Sequence, residues 1–200
     1  MRRSLVPLVV LVMSIPALGG AATKQVSISE NGTSFSPDRV RVGPGGDVRW
    51  SKGAGGLMHN VREDGGLFRS GEPTAGPIDF SATFSAGTFH YFCEIHGGES
   101  GGMDGVVKVP PRTRKAPAGP PFTVAWASSG SETGDRYDVQ YRVAAGPWRF
   151  WHRDTSARRG TFGSKGEPKA VRSGTSYSFR ARSGDGSAES RWSPKVSFRA

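Results

Sequence analysis

A single cysteine, Cys93, stands in 200 residues, and that scarcity excludes a disulfide within the chain. Its thiol is left four fates: buried hydrophobe, reactive group, intermolecular link or metal ligand. Long apolar runs are as scarce, since only Leu5 to Ala17 qualifies and it is short for a membrane span. Beyond that run no segment keeps apolar residues at helical spacing for three turns, which argues against a helical bundle. Histidine is limited to His59, His90, His96 and His152, so any metal chemistry must be built from few imidazoles.

The start of the chain reads as an export leader. Arg2 and Arg3 precede the apolar run, and Gly19, Gly20, Ala21 and Ala22 supply the small residues that precede a cut. Residues 1–22 are expected to be removed, leaving a secreted or periplasmic protein with no membrane span. About 178 residues then remain, enough for two small domains.

Composition changes where those domains should meet. Residues 110–121 hold five prolines and three cations, so 111–121 is expected to be an extended, basic linker between domains at 23–110 and 122–200. Residues 23–110 carry eight Lys/Arg against ten Asp/Glu, whereas residues 111–200 carry seventeen against seven. Both halves show short alternating runs broken by Gly, Pro, Asn and Ser, the pattern of β-sandwiches. The expected strands are 24–29, 39–42, 47–50, 88–92 and 105–109, then 122–126, 137–143, 176–182 and 195–198.

Alternation places Phe89, Tyr91 and Cys93 on one face, with His90, Phe92 and Glu94 on the other. Two inward aromatics thus lead a strand toward the end of the sandwich and deliver the sulfur there. His96 follows three residues later and Met103 seven after that, while "GGLMHNV" sets His59 at the start of another strand. A thiolate, two imidazoles and a thioether suit copper, because soft sulfur favours Cu(I) and imidazole tolerates both oxidation states. Zinc would want four firm ligands, and methionine is seldom one.

Residues 24–109 resemble a plastocyanin- or pseudoazurin-like cupredoxin. The resemblance rests on "FSPDRVRVGPGGDVRW", "MHNV", "FSAGTFHYFCEIH" and "GMDGVVKV", which occur in the family's order. It implies a Greek-key sandwich binding one copper, with His59, Cys93 and His96 as equatorial ligands and Met103 as the axial one. Asn60 would tie the ligand loops together by hydrogen bonds. Six residues separate His96 from Met103 where the family commonly has four, so Glu99, or no protein axial ligand, is the alternative. Leu57 and Met58 are expected to form an apolar rim around an exposed edge of His59, with Met58 turned away from the site. His90 is expected to be solvated, and Phe92 to be an outward aromatic beside the ligand cysteine.

The second half resembles a fibronectin type III module, on "FTVAWASS", "YDVQYRV", "TSYSFRARS" and "SRWSPKVSF". The resemblance implies an immunoglobulin-like sandwich with Trp126 and Tyr141 in its core and Tyr177 as a tyrosine corner. Arg180 and Arg182 alternate on one face, where Trp192 can stack against them as a cation–π pair. Trp148, Phe150 and Trp151 are divided between core and surface. Scattered arginines suggest weak attraction to anionic cell-envelope components, and no nucleic-acid motif is present.

The expectation is therefore an all-β exported type 1 copper protein that is no enzyme, carries one electron to a redox partner and bears a docking or spacer module. A copper-sequestering protein and an adhesion protein dominated by its C-terminal module are the other readings. Four histidines cannot build a type 1 centre plus a trinuclear or type 2 centre, which excludes a multicopper oxidase.

Overall fold

The computed structural model of the chain describes residues 23–98, 102–116, 119–163 and 171–200. The expected leader at 1–22 and the alternative ligand Glu99 lie outside them. Every element among the described residues is a β-strand or a turn.

The first half is a sandwich of two four-stranded sheets. One runs β2 (Phe35–Ser36), β1 (Lys24–Ile28), β4 (Gly46–Lys52), β6 (Ile78–Phe84), and the other β3 (Arg39–Arg41), β8 (Asp104–Val109), β7 (Gly87–Phe92), β5 (Arg62–Glu63). β1 runs parallel to β4, and β3 parallel to β8; the other neighbours are antiparallel. Strict alternation in β7 buries Gly87, Phe89 and Tyr91 and leaves the residues between them half-buried. The sheets close on an aromatic core in which Trp50 meets Phe80 and Phe68, and Tyr91 meets Trp50 and Phe35 edge-on. Trp50, Phe84 and Phe89 are fully buried, each contributing roughly 2–3 kcal/mol of hydrophobic stabilisation. β6 falls outside the expected strands: its outward Asp79 and Ser81 dilute the apolar alternation.

The second half is a sandwich of three and four strands. β13 (Arg159–Phe162), β10 (Gly119–Ala125) and β9 (Arg112–Ala116) face β12 (Arg149–Thr155), β11 (Arg136–Val143), β14 (Ser176–Gly184) and β15 (Val196–Arg199). Trp126 and Tyr141 lie in its core as expected, and Trp126 Nε1 donates to the Ala157 carbonyl at 2.5 Å. Tyr177 forms the tyrosine corner, its hydroxyl accepting the Arg172 N–H at 3.0 Å. Trp151 packs against the core, while Trp148 and Phe150 stay half-exposed.

The expected linker 111–121 is corrected by this sheet. Arg112–Ala116 is a strand paired with β10. Its prolines do not prevent this: Pro110 and Pro111 precede it, and Pro120 and Pro121 sit where the register shifts between Gly119 and Phe122. Proline is tolerated at strand starts, edges and bulges because no ladder N–H is demanded there.

The halves are also joined directly. Ala86 N–H donates to the Trp126 carbonyl (2.6 Å), and Thr88 exchanges backbone bonds of 2.9 and 3.0 Å with Arg191. Ser85 N–H donates to Thr133 Oγ1 at 3.0 Å, and Thr88 Oγ1 donates to the Trp192 carbonyl at 3.0 Å. Ala86 itself belongs to the second core. Gly87 lets the surfaces close, since a Cβ there would come within 2.4 Å of Ser190 Oγ.

Candidate metal centre

β7 ends by presenting Cys93, and a tight turn then returns His96. The His96 and Gly97 N–H groups both donate to the Cys93 carbonyl, at 3.2 and 2.8 Å. His59 comes from the other side, held in a backbone bridge with Thr74 by bonds of 3.0 and 2.9 Å. Cys93 and His59 are fully buried, and His96 is partly exposed.

These side chains aim three donor atoms at one point. His59 Nδ1 lies 3.2 Å from His96 Nδ1, and Cys93 Sγ lies 3.7 and 3.6 Å from the two nitrogens. A triangle with those sides has a circumradius of about 2.0 Å, the length of a metal–nitrogen bond and slightly under a metal–sulfur bond. Among the described residues this is the one His/Cys/Asp/Glu group so arranged. Burial first, then His96 and Lys52, hold the His59 imidazole below its ordinary value, which favours the neutral form a metal would require.

Met103 completes a His-Cys-His-Met cluster. It is fully buried, its carbonyl accepts the Cys93 N–H at 3.1 Å, and its N–H donates to the His96 carbonyl at 3.1 Å. Glycine stands at both described ends of the loop before it. A Cβ on Gly97 would sit 2.4 Å from the Met103 carbonyl oxygen, and Gly102 takes φ +127°.

Asn60 links the segment after His59 to the one after Cys93. Its Oδ1 accepts the Glu94 N–H at 2.9 Å, and its Nδ2 donates to the Gly71 carbonyl at 3.0 Å and to the Glu94 carboxylate. Glu94, whose part in this the sequence did not announce, also receives Arg62 at 2.8 Å and Arg69 at 2.7 Å. Burial would raise its carboxyl, but hydrogen bonds from Arg69, Arg62 and Asn60 together hold it below its usual value. Lys52 is a second unannounced member. Its buried ammonium donates to the Gly55 and Ala75 carbonyls at 2.6 and 3.1 Å, pinning the glycine loop that leads to His59.

Two expectations need correction. Of the three donor side chains the one that reaches the surface is His96, while the bridge to Thr74 and the Leu57 N–H bond to the Glu30 carbonyl lie over His59, which is fully buried. The apolar rim therefore includes Ile95, 51% exposed, beside Met58 at 49% and Leu57 at 40%. His90 is half-buried rather than solvated, since Arg191 crosses to Asp64 beside it. Burial, then Arg191, lowers its imidazole. Phe92 is half-buried on the same outward face of β7, and neither His90 nor His152 joins the donor cluster.

No family model and no curated protein matches the chain. Among solved structures it is similar to a pseudoazurin from Sinorhizobium meliloti, with 25% identity, 44% of this chain and 72% of that one covered, and a TM-score of 0.32. Native pseudoazurin from Hyphomicrobium denitrificans gives 20% identity, 44% and 75% coverage, and 0.33. The chicken CNTN1 FN1-FN3 domains give 8% identity, 81% and 68% coverage, and 0.34. The structural neighbours are thus pseudoazurins, which are cupredoxins, and a fibronectin type III tandem, β-sandwich proteins as this chain is.

Proposed function

We propose that the first sandwich binds one copper ion through His59, Cys93 and His96, with Met103 as axial ligand, and passes single electrons. The observation that carries this reading is the donor triangle, whose centre lies a bond length from all three atoms. Copper there supplies a one-electron couple, with a thiolate suited to Cu(I) and imidazoles suited to both states.

The protein's own part is to hold the donors still. Cys93, His96 and Met103 share one hydrogen-bonded turn, and Asn60 fixes that turn to the His59 strand. Rigid donors lower the rearrangement that accompanies a change of charge. The partly exposed His96, rimmed by Ile95, Met58 and Leu57, is where a redox partner would meet the site. Export of the chain after loss of residues 1–22 belongs to the same reading, with the C-terminal sandwich as a docking module.

The test is copper loading of the purified mature protein. Intense visible absorption and a narrow copper hyperfine splitting in EPR are expected; absence of both overturns the reading. Reversible voltammetry and reduction by a native respiratory or photosynthetic donor would separate a carrier from a copper-sequestering protein.

A further inference from the structure

The outer face of the β12-β11-β14-β15 sheet carries guanidinium groups stacked on aromatic rings. Trp148 is flanked by Arg142, 4.8 Å from guanidinium carbon to ring centroid, and by Arg180 at 4.4 Å. Trp192 is flanked by Arg180 at 4.7 Å and Arg182 at 5.1 Å, and Arg153 lies 3.5 Å over Phe150. Strand pairing aligns them: Arg142 stands opposite Ser178, Gln140 opposite Arg180, and Asp138 opposite Arg182. Successive outward rows are two residues apart, so the cations repeat about every 6.8 Å.

Neutralisation stops partway along the stack. Arg182 is paired with Asp138 at 2.7 Å and Glu189 at 2.5 Å. Arg142, Arg153 and Arg180 have no carboxylate within 4.0 Å among the described residues. Arg142 Nε is buried without a hydrogen-bond partner. Burial first, and then the charge of Arg142, pull the Arg180 guanidinium below its ordinary value. Two cations thus share one indole with no carboxylate beside them among the described residues, Arg180 being held by Gln140 Oε1 at 2.9 and 2.7 Å, in a half of the chain that carries seventeen Lys/Arg against seven Asp/Glu.

We propose that this face binds an acidic polysaccharide, its carboxylate or sulfate groups being taken by Arg142, Arg180 and Arg153. The guanidinium groups are held in place by the rings they stack on, so little side-chain entropy remains to be lost on binding. A single-stranded nucleic acid needs open aromatic faces for its bases, and Trp148 and Trp192 carry arginines there instead. The face therefore reads repeating charge on a chain that does not stack, and it does so independently of any metal in the other sandwich.

The test uses the full mature chain with polygalacturonate and dextran sulfate, neutral dextran as control, and duplex DNA as competitor. Binding is followed by tryptophan fluorescence across a salt series. Saturable binding to at least one acidic polymer and none to neutral dextran is expected. Arg142→Gln with Arg180→Gln should weaken it by about tenfold or more, as loss of two charge-assisted contacts implies. Arg142→Gln with Arg153→Gln, which leaves the Arg180 bonds to Gln140 intact, should act in the same direction. Arg158→Gln with Arg159→Gln removes as much charge from exposed positions elsewhere and should leave the affinity nearly unchanged. No binding, equal loss in the control pair, or tighter binding to duplex DNA would each overturn the proposal.

Discussion

Asn60 and Glu94 are bonded to each other twice: the Asn60 carbonyl oxygen accepts the Glu94 N–H at 2.9 Å, and its amide nitrogen donates to the Glu94 carboxylate. One residue follows His59 and the other follows Cys93, so the pair ties together the two segments that carry those donor side chains. Asn60→Ala removes the partner of the exposed Gly71 carbonyl and of the partly buried Glu94 N–H and should cost about 0.5–1.5 kcal/mol. The urea midpoint should fall and copper should leave faster to a chelator. Glu94→Gln, which keeps the backbone bond, should do less of both; equal losses would assign the tie to the charges rather than to Asn60.

Substituting the donors separates their roles. Cys93→Ser should abolish the visible absorption of the copper-loaded protein, because the band needs a thiolate. Met103→Gln should retain copper and lower the reduction potential, measured by voltammetry. A potential equal to that of the parent would remove Met103 from the ligand set.

Two glycines are required by close approach. At Gly97 a Cβ meets the Met103 carbonyl oxygen at 2.4 Å, and at Gly105 it meets the Tyr91 ring at 2.3 Å. Neither obstacle is the far end of a flexible side chain. Gly105→Ala should destabilise the sandwich by roughly 1–3 kcal/mol, as overpacking does. Gly97→Ala should act on the ligand turn and change the copper EPR spectrum, with thermal stability less affected. The reverse pattern would show that the turn tolerates the extra atom.

Glu63 yields a pH dependence of definite sign. It is 2% exposed, and burial raises its carboxyl above the ordinary 4.5, against hydrogen bonds from the Leu67 and Gly65 N–H groups. A carboxyl raised in the folded state lends its stability below the unfolded value and loses it as pH rises through the folded one. Glu63→Gln removes that loss. Between pH 4 and 7 the stability difference should therefore move in favour of Glu63→Gln, read from urea unfolding at each pH; a shift the other way would refute it.

The donor set was readable because most of it is local. Cys93, His96 and Met103 lie within eleven positions, and alternation through Phe89 and Tyr91 fixes which face the sulfur takes. His59 was marked by the Asn60 that follows it. What the sequence hid depends on pairing between distant segments. The burial of His59 follows from Thr74 and Glu30, and the exposure of Ile95 from the turn after Cys93. The strand Arg112–Ala116 was concealed by prolines that flank it without entering it. Lys52 gave no sign at all, since a lysine ending an amphipathic strand is ordinarily solvated.

The bonds between Ala86 and Trp126 and between Thr88 and Arg191 give the molecule a fixed compass. β7 leads into Cys93 at one end and meets the second sandwich at the other, so the bearing of the His59, Cys93 and His96 donor cluster is set by whatever surface the basic half lies on. Molecules adsorbed on an acidic layer should all point the same way. On a carboxylate-coated electrode the chain should exchange electrons at a single rate, where a domain on a slack tether would show a spread of rates.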